Sequence, residues 1–272
     1  MKNNFKISVP MAIIITLLAI IYQRGTGPTY PKKVDIGEDQ SVRIKLPRSH
    51  GGETDAPIEI PKLNNNMTGT LFYKRYPTND EWTSVDLVED SNRLYTSLPN
   101  QPPAGKIQYY LSLNYGDKVQ NIGSLKEPIL IRFKGDVPTF VLAPHIFAMF
   151  LSMLLSVVAL FEAIYRTRSY KIIGRITFGC LVFGGLCLGP IVQKYAFGVY
   201  WAGFPYDADL TDNKLLIGVI AWLIGVVFSI KNTKRWPTIF ASIVLFGVYL
   251  IPHSMQGSEY DYEKGKVITD IE

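Results

Sequence analysis

Two histidines and a run of acids carry most of the chemistry open to this chain. His145 lies in VPTFVLAPHIFAMF and His253 in YLIPHSMQGSEYDY, each just after a proline and near the end of an apolar run. Between them, QKYAFGVYWAGFPYDADLTDNK (residues 193–214) holds Trp201, Tyr206, Asp207, Asp209 and Asp212. Ionisable side chains at apolar spans are functional candidates, because burial in lipid is costly. Two imidazoles meeting across helices suit a metal ion or a b-type haem, and a carboxylate such as Asp207 or Glu259 would complete a ligand set. The candidate ligand-binding group is therefore His145, His253, Asp207, Tyr206, Trp201 and Glu259, with His145 and His253 as the candidate metal ligands.

Simpler forces compete for the same residues. Aromatic rings settle at the membrane–water boundary. Asp209 suits a helix N-cap, and Asp212 sits three residues later, in the capping-box position. Each histidine has carbonyls freed by its proline within reach. DADLTDNK lacks the glycine and the distal glutamate of a calcium loop, and no HExxH, nucleophile elbow or Walker motif occurs. No catalytic residue is assigned, and an enzyme is the weaker expectation.

The elements that must position these residues are apolar runs at 8–22, 139–165, 172–192, 214–230 and 237–251. On a criterion of about 20 residues they read as five transmembrane helices, the first and last being short. Lys2 and Lys6 precede the first, and QRGTGPTYP after it offers no small-x-small cleavage site, so it reads as an uncleaved anchor. RTRSYKIIGR and KNTKR are basic and free of acid, whereas the 193–214 connection and the C-terminal tail are acidic. Basic loops stay cytoplasmic. The expected order is an anchor (1–22), an extracytoplasmic β-domain (23–138), a four-helix membrane domain (139–251) and an acidic extracytoplasmic tail (252–272). A bacterial inner membrane fits this plan.

Within the third span, Gly185 and Gly189 have the spacing that lets helices approach closely. Glu162 pairs on paper with Arg166 at i,i+4, and a proton relay would want a second buried acid. The net charge of +5 comes from basic residues set beside spans rather than on one soluble face, which argues against nucleic acid. The expected partners are the lipid bilayer and other membrane or envelope proteins.

Residues 34–135 carry short alternating segments (SVRIKL, GTLFYKRYP, WTSVDLV, RLYTSLP, KIQYYLSLNYG, PILIRFKG) separated by turn formers, the pattern of an antiparallel sandwich. The region contains no cysteine, so its core must hold by packing alone. LFYKRYPTNDEWTSVDLV and LPNQPPAGKIQYYLSL make this region resemble a fibronectin type III or immunoglobulin-like module, with Leu98, Gly105 and Tyr109 matching that module's tyrosine corner. Trp82 sits in the hairpin rather than in the usual core strand. The resemblance implies a binding surface for another protein and a tyrosine hydroxyl bonded to backbone. Together these readings predict an accessory or scaffolding subunit of an envelope complex, with a metal- or haem-binding redox protein as the alternative.

Overall fold

The computed structural model of the chain describes residues 4–37, 41–116, 118–231, 234–252 and 257–268. They divide into two compact units, a helical one within 1–28 and 137–257 and a β one within 29–136 and 258–271.

The helical unit opens with α1 (Phe5–Thr26), whose buried positions are Ser8, Ala12, Thr16 and Ala19. That spacing keeps small residues on one face, which packs against α2 (Thr139–Ile164), while Ile14, Leu18 and Ile21 stay exposed. Small residues let backbones approach, and the large apolar ones face outward as lipid requires. The third helix runs as α3 (Tyr170–Leu181), a π-helical segment (Val182–Leu188) and α4 (Gly189–Phe197). It is glycine-rich because it is crowded. A Cβ on Gly174 would lie 2.9 Å from the Trp222 ring, one on Gly184 would lie 2.8 Å from Ala148 Cβ, and one on Gly185 would collide with Leu215. A Cβ on Gly189 would meet only ordinary contacts, 3.7 Å from the Gly184 carbonyl oxygen and 3.8 Å from His145 Cε1. Next come α5 (Leu210–Lys231) and α6 (Trp236–Leu250).

Among the described residues, four helices are long and apolar enough to cross a membrane: Phe5–Thr26, Thr139–Ile164, Tyr170–Phe197 and Leu210–Ile230. This corrects the expectation of five. The segment anticipated at 237–251 is an apolar helix of only 15 residues, about 22 Å at the α-helical rise against a ~30 Å hydrocarbon core. Proline bounds it at both ends. Pro237 stands in its first turn, and Ile251, before Pro252, has left the helix for an extended conformation, as residues preceding proline do. The first helix, by contrast, extends well past its apolar core.

In the β unit, β1 (Lys32–Ile36) and β2 (Val42–Leu46) form an antiparallel pair. The larger sheet has the order β3 (Ser49–Gly51), β11 (Ile129–Lys134), β9 (Lys106–Asn114), β5 (Thr68–Tyr76) and β6 (Thr83–Asp86), with β10 (Val119–Ile122) on β9. The smaller has the order β4 (Ala56–Pro61), β8 (Arg93–Leu98), β7 (Val88–Asp90). Alternation drives burial. In β9 every second residue from Ile107 to Leu113 is buried, and these residues share one cluster with Ile58, Ile60, Leu94 and Leu98 from the smaller sheet. Tyr109 lies in that core and donates its hydroxyl to the Pro47 carbonyl at 2.8 Å, 62 positions away along the chain. In β2, Ile44 and Leu46 are buried, whereas Val42 is exposed.

The C-terminal segment adds a small hairpin, β12 (Glu259–Asp261) with β13 (Lys266–Ile268). It groups with the β unit through polar contacts. Tyr262 Oη accepts the Lys106 N–H at 3.1 Å and donates to Gln101 Oε1 at 2.9 Å. Arg132 donates to the Ser258 carbonyl, and the Tyr260 N–H reaches the Ala104 carbonyl at 3.2 Å.

Candidate functional site

The 193–214 connection is a self-capped turn in front of α5. Gly198 ends α4 in the left-handed region, at φ +83°, where a side chain would be strained. Asp209 Oδ1 then accepts the Thr211 N–H at 2.7 Å and the Asp212 N–H at 3.2 Å, satisfying amides that the first turn of a helix leaves open. Asp212 does not close a capping box. Its carboxylate takes the Ala202 N–H at 2.6 Å, with further bonds from Gln193 and Gly203, while the Asp209 N–H goes to the Ala202 carbonyl at 2.8 Å. Asn213 Oδ1 accepts the Phe204 N–H at 2.7 Å. Gly203 is needed for this closeness, since a Cβ there would lie 2.6 Å from Asp212 Cβ.

Tyr195, Tyr200, Phe204 and Tyr206 of the connection are exposed, whereas Phe197 and Trp201 are half-buried. Tyr206 is 82% exposed and Phe204 68%, and the Trp201 indole N–H donates to the Phe204 carbonyl at 3.2 Å. Asp207 Oδ1 accepts the Ala208 N–H at 2.7 Å, a local turn bond. Rings so exposed at the end of membrane-length helices fit an interfacial belt.

Lys214 is the residue that sequence reasoning missed. It is buried as the fifth residue of α5, and its ammonium donates to the carbonyls of Ile251 at 2.8 Å and Pro252 at 3.2 Å. These carbonyls lie at the C-terminal end of α6, where a cation is favoured by the helix dipole. Lys214 thus ties the end of α6 to the start of α5. A lysine among the first residues of an apolar helix was the available signal.

His145 is half-buried on α2, and its Nδ1 lies 2.8 Å from the Gly184 carbonyl. A carbonyl only accepts, so Nδ1 carries the proton and donates. Gly184 belongs to the π segment, where its carbonyl also takes the Gly189 N–H; π-helical turns often mark functional positions. A backbone carbonyl holding Nδ1–H is the arrangement that presents Nε2 as a ligand. His253 lies outside the described residues. Glu259 belongs to the β unit, where its carboxylate lies 3.2 Å from Lys106 Nζ. Burial lowers the Lys106 pKa, and the Glu259 charge opposes that shift. Among the described residues, no three His, Cys, Asp or Glu side chains gather to hold a metal ion.

Glu162 departs from its expected pairing with Arg166. It is fully buried, with Ser8 Oγ 2.5 Å from Oε1 and Thr167 Oγ1 2.5 Å from Oε2. Arg166 is exposed with φ +60°, so the helix has turned away before the i,i+4 contact forms.

Fold and site together describe a chain that joins membrane-length apolar helices to a separately packed β-sheet unit. Comparison with protein families, curated proteins and solved structures found no match to it.

Proposed function

We propose that the chain is an integral-membrane binding and assembly subunit of a cell-envelope complex, with its β unit as the interaction domain. One observation carries this reading. The β unit has its own core, yet keeps a row of aromatic and cationic side chains at the surface of its larger sheet. Phe72 and Tyr110 stack at 4.7 Å, Trp82 meets Tyr110 edge-on at 5.2 Å, and Lys74 lies 5.6 Å from the Trp82 ring centre. Aromatic residues are the side chains that protein interfaces favour. β6 is exposed at every position and ends that sheet, so it leaves an edge on which a partner strand can add. The two-sheet core and the buried Tyr109 hydroxyl bond support a fibronectin type III or immunoglobulin-like assignment.

The basic 166–175 and 231–235 connections support a cytoplasmic N-terminus and a β unit on the opposite side, the periplasm if the host is a Gram-negative bacterium. The test is purification of the full chain in mild detergent beside a Trp82→Ala/Tyr110→Ala variant. A stoichiometric partner retained by the wild type and lost from the variant supports the proposal. A protein without a fixed partner, or one whose partners ignore the variant, refutes it.

The oriented imidazole of His145 favours a second reading, a metal- or haem-binding redox protein using His145 and His253. A Soret band or stoichiometric metal that disappears in a His145→Ala/His253→Ala variant would support it; colourless, metal-free protein would exclude it.

A further inference from the structure

Several helix ends meet at one end of the helical unit. Near the start of α1, Ser8 Oγ donates at 2.5 Å to Glu162 Oε1 near the end of α2. Arg235, just before α6, donates to the Ala163 carbonyl at 3.1 Å. The Trp236 ring that opens α6 lies 6.1 Å from the Phe228 ring near the end of α5, and α3 begins at Tyr170, after the turn that closes α2.

Charge at this end is one-sided. Residues 4–12, 158–180 and 225–240 hold eight lysines and arginines and a single acid, Glu162. Glu162 is fully buried, with the hydroxyls of Ser8 and Thr167 on its two oxygens, so it pairs with no surface cation. Among the described residues, Lys6, Arg166, Arg168, Arg175 and Lys234 are exposed, and none of them makes an ion pair. Clusters of lysine and arginine beside membrane helices attract anionic headgroups.

Arg175 narrows the kind of anion. It is the sixth residue of α3, ~8 Å from Tyr170 along the axis, and its exposed neighbours on that helix are Ile172 and Ile176. Ile173, Gly174 and Thr177 turn the other way and are buried. On a membrane-length helix such an exposed apolar stripe meets lipid. A guanidinium on it is costly unless paired, and its long stem can run along the apolar surface to lift the head to phosphate level. Arg168 stands about two turns earlier, where its carbonyl accepts the Lys171 N–H at 3.3 Å. Exposed Tyr165 and Trp236 occupy the same end, as interfacial anchors do. A soluble anion would satisfy the arginines but leave Ile172 and Ile176 uncovered.

We propose that this end of the helical unit binds an anionic phospholipid, with Arg168 and Arg175 on the phosphate and the acyl chains along Ile172 and Ile176. The planar guanidinium fork matches phosphate oxygens. This proposal does not depend on the β unit having a partner.

The test is native mass spectrometry of the full chain from micelles doped equally with phosphatidylglycerol and phosphatidylcholine, beside thermal melts in each lipid. The wild type should retain phosphatidylglycerol several-fold over phosphatidylcholine and melt higher with it. Arg168→Gln/Arg175→Gln should lose both effects while melting like the wild type in phosphatidylcholine. Arg168→Lys/Arg175→Lys, which keeps both charges, should still prefer phosphatidylglycerol and so separates lost binding from a lost fold. Equal retention of the two lipids by the wild type overturns the proposal, as does a glutamine variant that keeps the wild-type preference. Inorganic phosphate that raises Tm as phosphatidylglycerol does would assign the site to a soluble anion and overturn it too.

Discussion

The docking of the C-terminal hairpin onto the β unit can be tested by removing one atom. In Tyr262→Phe the ring stays, together with the Arg75 guanidinium 4.9 Å from its centre and the Tyr260 ring at 5.2 Å. Only the hydroxyl is lost. Burial pushes the Tyr262 pKa up to about 12, so at neutral pH the hydroxyl is protonated and acts both as donor and as acceptor. Its loss strands the Lys106 N–H, which it accepts at 3.1 Å, in half-buried surroundings. The Gln101 oxygen also loses its donor but lies close enough to the surface to find water. An unsatisfied buried amide costs about 1–3 kcal/mol, so the expected loss is about 2 kcal/mol. In a unit of this size that lowers Tm by roughly 8 °C, at ~4 °C per kcal/mol. The assay is thermal unfolding of the full chain in detergent, with hydrogen exchange read at the Lys106 amide. A Tm shift below about 2 °C, with unaltered protection at that amide, would show that the tail is not held in this way.

Three further outcomes follow from the same geometry. Gly174→Ala forces a methyl to within 2.9 Å of the buried Trp222 ring, and overpacking of that kind costs about 1–3 kcal/mol; a thermal melt equal to wild type would disprove the close α3–α5 contact. Asp209→Ala removes the cap on Thr211 and Asp212 and should cost about 1 kcal/mol, seen as faster exchange at those two amides; unchanged exchange would refute the capping role. Glu259→Gln leaves the Lys106 ammonium half-buried beside a neutral partner, a loss of roughly 1–3 kcal/mol, between exposed and fully buried pairs. Burial already holds the Lys106 pKa below its ordinary value of 10.5. Removing Glu259 lowers it further, so the unfolded chain binds this proton more readily. The penalty should therefore be full at neutral pH and shrink as pH rises toward 10.5, and a pH-independent penalty would refute the charge pairing.

Much of the fold was legible because period and composition act locally. The runs GTLFYKRYP, RLYTSLP, KIQYYLSLNYG and PILIRFKG alternate, and each forms a strand. The strand at Ala56–Pro61 alternates as well but carries Pro57 and Pro61, which read as breakers. It is tolerated at the edge of its sheet, where no neighbour needs the missing N–H groups. The tail hairpin had no apolar signal, because its docking rests on Tyr262, Arg132 and Glu259 rather than on hydrophobic burial.

By itself, the sequence determined four of the five expected apolar spans, the strand periodicity and the Asp209 cap, each of which depends on residues within a turn or two of one another. Tertiary structure alone decided where the long-range polar side chains went. Glu162 turned from Arg166 to Ser8, 154 positions away. Lys214 reached across to the end of α6, and Glu259 joined Lys106 in the β unit. The physical reason is that a buried charge or hydroxyl must find a partner wherever packing provides one, and the spacing of residues along a chain does not say which helix or strand will stand beside it.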